Sequence, residues 1–278
     1  EKNILFTNND SAYETAISLI QKGINIEAII DIREEVDSKL VYEVEKNNIK
    51  IFKGFTVTDT SGYKRINRIS IMQLSKDGQK VIGSKINLFC DCLGISGGWT
   101  PAVHLFTQSG GKLKFRDEDQ TFIPDNCPSD QLNIGACNGD LTLDEILSNV
   151  PQVLKNFLNI KNTEYANLDI ISSTNKSKRN IWLLPSDKIL GKTKSFVDFQ
   201  NDATAKDIKL ALREGFRSIE HVKRYTTTGM GTDQGKLGNM HALGIISETA
   251  DAKMGELGTT TFRPPYTPLT FGTIVGRN

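Results

Sequence analysis

Cysteine is scarce in this chain. Cys90, Cys92, Cys127 and Cys137 are the only four in 278 residues, too sparse for a disulfide scaffold in a protein of this size. The three histidines, His104, His221 and His241, are scattered and offer no zinc-ligand spacing. No apolar run reaches the roughly 18 residues that cross a bilayer, and the opening EKNILF lacks the order of a signal peptide. A soluble, cytoplasmic protein with no membrane role is expected. Neither sign of charge dominates, with 34 Lys and Arg against 33 Asp and Glu, so there is no basic track for nucleic acid. An initiator methionine is also missing, and the first strand begins without a lead-in; the expectation is a piece of a longer chain.

The length admits two modest domains, each with a core. NILFT at 3–7 reads as a strand, and Ala12, Ala16, Leu19 and Ile20 recur at helical spacing behind a candidate cap, Asp10. IEAIIDIRE gives a second strand, a helix runs to about Asn47, and IKIFKGF gives a third strand. Such a β-α-β-α-β series favours a parallel sheet. Residues 56–93, broken at Gly62 and Asp77-Gly78, read as an antiparallel meander. The fold class is therefore α/β, and residues 1–93 resemble the small pyridine-nucleotide-type domain of the two-dinucleotide-domain flavoprotein reductases.

The phosphate loop of a dinucleotide site is absent. That site needs glycines between first strand and first helix, so that a pyrophosphate can approach bare backbone. Here the turn is TNNDSAYETA, with Asp10 where phosphate charge would sit; like charge opposes a nucleotide there. In INLFCDCLGI, alternation along one strand would put Cys90 and Cys92 on the same face, which reads as buried core thiols ahead of a metal pair.

Beyond the meander, Gly97, Gly98, Thr100 and Pro101 mark a sharp bend, with Trp99 expected as a packing residue beneath it. His104 has no nearby acid in sequence and is not a candidate catalyst. LNIGACNGD reads as a short strand meeting a glycine turn before the helix LTLDEILSN. Gly135, Asn138 and Gly139 thus offer either an ordinary turn or backbone amides, at 139–141, facing a ligand. VPQVLKNFL reads as helix and IWLLP as a short strand within a connector over 150–193. Two short helices broken at Gly215 lead into HVKRYTTTGMGTDQGK, where a basic pair, three threonines and three glycines suggest a turn built for an anion. The proline-rich TTFRPPYTPLTF ends the chain in extended form.

Three long strings, SGGWTPAVHLFTQSGGKL, VDFQNDATAKDIKLALREGFRSIEHVKRYTTTGMGTDQGK and GTTTFRPPYTPLTFG, occur in this order. Together they resemble the α subunits of heterotetrameric sarcosine oxidases. The resemblance implies that 94–149 is the return segment of a large dinucleotide-binding domain and 194–250 a small helical domain. Residues 251–278 would be an extended linker toward a folate-binding domain. It also implies the family's activity: oxidative demethylation of sarcosine to glycine, with hydrogen peroxide as co-product and the one-carbon unit passed to tetrahydrofolate. FAD would lie in the β subunit, FMN between α and β, and NAD in the large α domain, with β, γ and δ subunits as partners. On that reading this stretch carries no catalytic residue and no metal, and serves as cofactor wall and subunit interface. Gly97 and Gly98 would pass near the NAD. Lys223, Arg224, Thr226, Thr227 and Thr228 would face the FMN phosphate or a partner subunit; the alternative is a solvated helix end. Residues 198–238 resemble an iron–sulfur domain in which Asp198, Gln200, Asp233 and Gly238 stand where four cysteines belong, so no cluster is expected. A different reading remains open, a non-catalytic assembly module whose ancestral sites have decayed.

Overall fold

The computed structural model describes residues 1–126, 131–159, 180–190, 192–264 and 266–277. Cys127 and most of the expected connector lie outside them. Contacts divide the chain into two units. The first is Glu1–Trp99 with the described part of Thr174–Thr193; the second is the described part of Thr100–Ser173 with Lys194 onward.

In the first unit the expected series appears as β1 (Asn3–Thr7), α1 (Ser11–Gln21), β2 (Ile26–Asp31), α2 (Ser38–Lys46) and β3 (Lys50–Lys53). Alternation along the strands explains the layering. Ile29 faces Tyr13, Ala16, Val41 and Val44 of the helices. Ile4, Phe6, Ala28 and Ile30 face the other way, onto Ile69, Ile71 and Leu74 of the meander. That meander is β4 (Phe55–Gly62), β5 (Ile66–Leu74) and β6 (Val81–Phe89), all antiparallel. Each isoleucine buried this way stabilises the fold by about 1.5–3 kcal/mol relative to exposure.

The unit extends past residue 93. β7 (Cys92–Ser96) returns beside β1, giving the parallel order β3-β2-β1-β7. This corrects the single strand expected through Cys90 and Cys92. The chain leaves the meander at Cys90 and turns at Asp91, whose N–H and that of Cys92 donate to the Lys2 carbonyl, while the Asp91 carboxylate accepts from the Lys2 N–H at 2.8 Å. Cys90 is consequently buried and Cys92 exposed. No metal-ligating cluster occurs among the described residues. Residues 181–185 form no strand; Ile181 and Leu184 instead pack on the core between sheet and meander.

The second unit contains α3 (His104–Gln108) and the hairpin β8 (Lys112–Arg116) with β9 (Thr121–Asn126). A single-turn 3₁₀ helix, Gly135–Asn138, replaces the short strand expected there. The two helices read on either side of Val150 are one, α4 (Leu143–Leu158), running through Pro151 from a capping box of Thr142 and Glu145. A short ribbon of β10 (Phe196–Asp198) and β11 (Ala203–Thr204) precedes α5 (Ala205–Arg213), α6 (Ile219–Thr226) and α7 (Asn239–Ala250). Gly215 ends α5 as expected, at φ +97°. Ile208, Leu212, Val222, Leu243 and Ile246 are among the buried residues these three helices contribute. No described helix is long and apolar enough to cross a membrane.

Candidate functional site

The candidate residues fall into separate places, beginning at the first β–α turn. Asp10 heads α1 but caps nothing with its side chain. Its carboxylate accepts from Arg33 Nη1 at 2.7 Å, and Arg33 Nη2 reaches Asp31 at 2.8 Å. The Tyr13 hydroxyl donates to the same Asp31 at 3.0 Å. Arg33 is 2% exposed and Asp31 and Tyr13 are wholly buried. Burial alone would pull the Arg33 guanidinium down, but Asp31 and then Asp10 hold it above its ordinary value. Burial, then the Asp31 charge and hydrogen bond, push the Tyr13 phenol far up. A buried ionic network therefore occupies the end of the sheet where a nucleotide fold would present bare amides.

Gly97 and Gly98 follow β7 on the surface. Gly98 has φ +97°, and a Cβ there would stand 3.4 Å from Asn8 Oδ1. Trp99 is 63% exposed, its indole N–H donating to Ser11 Oγ at 3.3 Å, so the packing role expected for it is corrected. Thr100 and Pro101, in the second unit, line a small cavity with His104, Phe122, Asn239 and Phe262. Gly135, Asn138 and Gly139 form the 3₁₀ turn and its left-handed exit. The N–H groups of Gly139 and Asp140 donate to the carbonyls of Ala136 and Gly135, and that of Leu141 to the Glu145 carboxylate at 3.1 Å. All three amides thus have partners within the chain. Above Gly139 lies Arg116, which donates to its carbonyl at 3.1 Å.

The loops at 198–201 and 229–235 are laced together. Asp198, 6% exposed, accepts from the N–H of Gly229 at 2.7 Å, of Gln200 at 2.8 Å and of Asn201 at 3.1 Å. Gln200 Oε1 accepts from the N–H of Thr232 at 2.6 Å, and Asp233 accepts from Gly235 at 3.1 Å. Burial works to raise the Asp198 carboxyl, yet the amides of Gly229, Asn201 and Gln200 hold it below the usual carboxylate range. Gly238 sits where a Cβ would meet the Val197 carbonyl at 2.4 Å. At three of the four positions compared with thiolates, side-chain oxygens thus take backbone amides instead.

Outside this lacing opens a cleft of about 540 Å³, lined by Glu220, Lys223, Arg224, Gly229–Thr232, Gln234, Thr261, Arg263 and Pro268. Glu220 is already engaged twice, accepting from the Thr261 N–H at 2.7 Å and pairing with Arg224 at 3.4 Å. Lys223 and Arg263 have no side-chain ion pair among the described residues. The cleft is thus positive where it is free. Thr226, Thr227 and Thr228 do not line it. The Thr226 hydroxyl donates to the Val222 carbonyl at 2.8 Å and meets that of Thr228 at 2.8 Å, while Thr227, at φ +60°, ends α6. The threonines close the helix, and the basic pair above them faces the opening. Arg263 escaped sequence reasoning because it lies in a proline-rich tail read as a linker; the TTTFRP string carried the signal, an arginine among otherwise uncharged residues.

The comparisons with known proteins agree along the chain. Residues 192–277 match the family profile described as the sarcosine oxidase A3 domain. Over 280 residues the chain is 33% identical to the sarcosine oxidase subunit alpha of Rhizobium meliloti (strain 1021), covering 98% of this chain and 26% of that one. It is 32% identical over 286 residues to the corresponding subunit of Corynebacterium sp. (strain P-1), covering 99% and 29%. The chain therefore spans about a quarter of the length of the curated relatives it matches. Among solved structures, L-proline dehydrogenase from P. horikoshii superposes with a TM-score of 0.57 at 15% identity, over 99% of this chain and 50% of that one. At that identity the likeness speaks for the fold, an α/β arrangement with a helical C-terminal region.

Proposed function

We propose, since this chain is a sarcosine oxidase α subunit-like protein, that it forms part of the α subunit of a flavin-dependent sarcosine oxidase. The whole enzyme oxidatively demethylates sarcosine to glycine and passes the one-carbon unit to tetrahydrofolate. FAD and the amine lie in the β subunit, and γ and δ complete the assembly. The stretch described here supplies a cofactor wall and a subunit interface.

The observation that carries this reading is the cleft of Lys223, Arg224 and Arg263. Two cations without an ion pair among the described residues, and the turn at Gly229–Gly231, suit a phosphate, which charge-assisted hydrogen bonds hold strongly. The phosphate of FMN at the α/β boundary is the ligand we assign to it, with Lys223 and Arg263 as the holding residues and Arg224 shared with Glu220. FMN supplies one-electron chemistry when bound; this chain's residues bind and orient its phosphate. The described residues do not fit NAD. The amides at 139–141 are bonded within the chain and the first β–α turn holds the Asp10–Arg33 pair, so NAD is assigned to the rest of the large α domain and no step is drawn through it.

The test is FMN occupancy of the intact complex purified through this chain. Loss of one charge-assisted contact, in Lys223→Ala or Arg263→Ala, weakens binding by about 1.5–3 kcal/mol, roughly tenfold to 150-fold. Unchanged occupancy in both variants on dilution would refute the phosphate reading. A second reading, a non-catalytic assembly module, is favoured by the filled first turn and by the Asp198 and Gln200 lacing. It predicts that no flavin accompanies the chain and that adding sarcosine without oxygen bleaches nothing.

A further inference from the structure

His104 is 8% exposed, and neither of its ring nitrogens has a hydrogen-bond partner among the described residues. It borders a small cavity of about 40 Å³ in the second unit, room for little more than one water molecule. Its ring lies 3.9 Å from that of Phe262 and 5.7 Å from that of Tyr266. The segment 259–263 that carries Phe262 has two faces. Thr260 and Phe262 are buried against the His104 cavity, whereas Thr261 and Arg263, between and after them, line the basic cleft. A single short strap is thus wall to both. Its cleft face is pinned by the Thr261 N–H on Glu220 and the Arg263 N–H on Gln234 at 3.0 Å.

We propose that His104 is a positioning residue of the cleft: its neutral ring seats Phe262 and thereby holds Arg263 at the opening, and its protonation unseats the strap. This role presupposes that the cleft binds an anion. An imidazolium pressed on the Phe262 ring beside a small, largely apolar cavity loses hydration that no acceptor among the described residues replaces. Among the described residues lining the cavity, from 100–103, β9, α6, the loop at 235–236, α7 and the strap, Lys236 is the one charged side chain beside His104. Lys236 stacks over Tyr266 at 3.8 Å and repels a second positive charge. Burial first, and Lys236 second, accordingly hold His104 below its ordinary 6.5. A depressed pKa means that seating is complete above the value of the free imidazole and is lost as pH falls below it, the opening constant growing about tenfold per pH unit until the closed form also protonates.

Hydrogen exchange of peptides covering 259–263, in the intact complex and from about pH 8 to about pH 5 with exchange times scaled for intrinsic chemistry, reads this opening directly. The expected result is a strap whose protection falls about tenfold per unit below the imidazole range in the wild type. In His104→Phe, which keeps a ring and has the adjoining cavity for its extra volume, protection should be flat across the same range. A flat wild-type profile overturns the proposal without any variant. So does a His104→Phe profile that follows the wild type. Parallel measurement of FMN occupancy separates the two readings. A strap that responds to pH while occupancy ignores Lys223→Ala and Arg263→Ala supports the latch and refutes the phosphate assignment. Occupancy that falls in those variants beside a strap indifferent to pH does the reverse.

Discussion

Replacing Arg33 with methionine removes the cation that bridges Asp10 and Asp31 in the first unit. Asp31 is wholly buried and the Asp10 side chain 9% exposed, so neither carboxylate can turn to water without moving α1 or β2. Breaking a buried pair from one side costs about 3–5 kcal/mol, because a charge is stranded. Arg33→Met strands two, which places it at the upper end of that range. The core amides of β1 and β2 open only with the unit as a whole, so their exchange rates report its stability. At about 1.4 kcal/mol per decade, those amides should exchange roughly 150-fold to 4,000-fold faster in the variant. Asp10→Asn is the control. It leaves the Arg33–Asp31 pair, with three side-chain bonds from Nε and Nη2 between 2.8 and 3.2 Å, and removes a single contact, so it should cost about 1.5–3 kcal/mol. The network interpretation fails if Arg33→Met accelerates exchange by less than about tenfold, or if Asp10→Asn is as damaging.

Asp198→Ala deprives the amides of Gly229, Gln200 and Asn201 of their acceptor, and should lower the stability of the second unit by about 2–4 kcal/mol by exchange of α5 and α7. Since its folded carboxyl is held low, the wild-type contribution is present above the ordinary aspartate range and is lost as pH falls through the folded value; the Asp198→Ala variant should lack that part of the acid sensitivity. Cys92 is exposed, whereas Cys90 is 2% exposed with its thiol raised by burial first and by the neighbouring Asp91 second. Peptide mapping after mild maleimide treatment should therefore find Cys92 modified and Cys90 protected, with equal labelling counting against the break at Asp91.

The parallel series and the meander were readable because each strand is a short apolar run bounded by polar turns, and Ile29 and Ile30 declare opposite faces by alternation alone. The break at Asp91 was not readable, since CDC continues the period-two pattern while the chain changes sheets; only the register of β7 against β1 decides it. At the first turn, Asp10 announced that phosphate would be unwelcome. Its partner lies 23 residues away, and local pattern carries no trace of that pairing. The basic pair at 223–224 was legible from composition and does face an opening. The threonines misled because a hydroxyl beside a helix end has two uses, and here that of Thr226 goes to the α6 backbone and that of Thr228 to Thr226.

The position of β7 has a consequence for how the first unit comes together. β1 lies inside the sheet, yet its second neighbour arrives some 89 residues later, Asn3 pairing with Cys92. As the chain grows, β3, β2 and β1 can assemble early, leaving one flank of β1 as an open ladder. The meander, built from adjacent hairpins, closes quickly in the interval and offers Ile69 and Ile71 as a cover for the face of that incomplete sheet. Sealing the flank is then the last and slowest act, delayed by the closure of a long loop. Until residue 96 is in place, the exposed edge of β1 is the point at which a second nascent copy would add its own strand, and the folding of this unit is most vulnerable to crowding there.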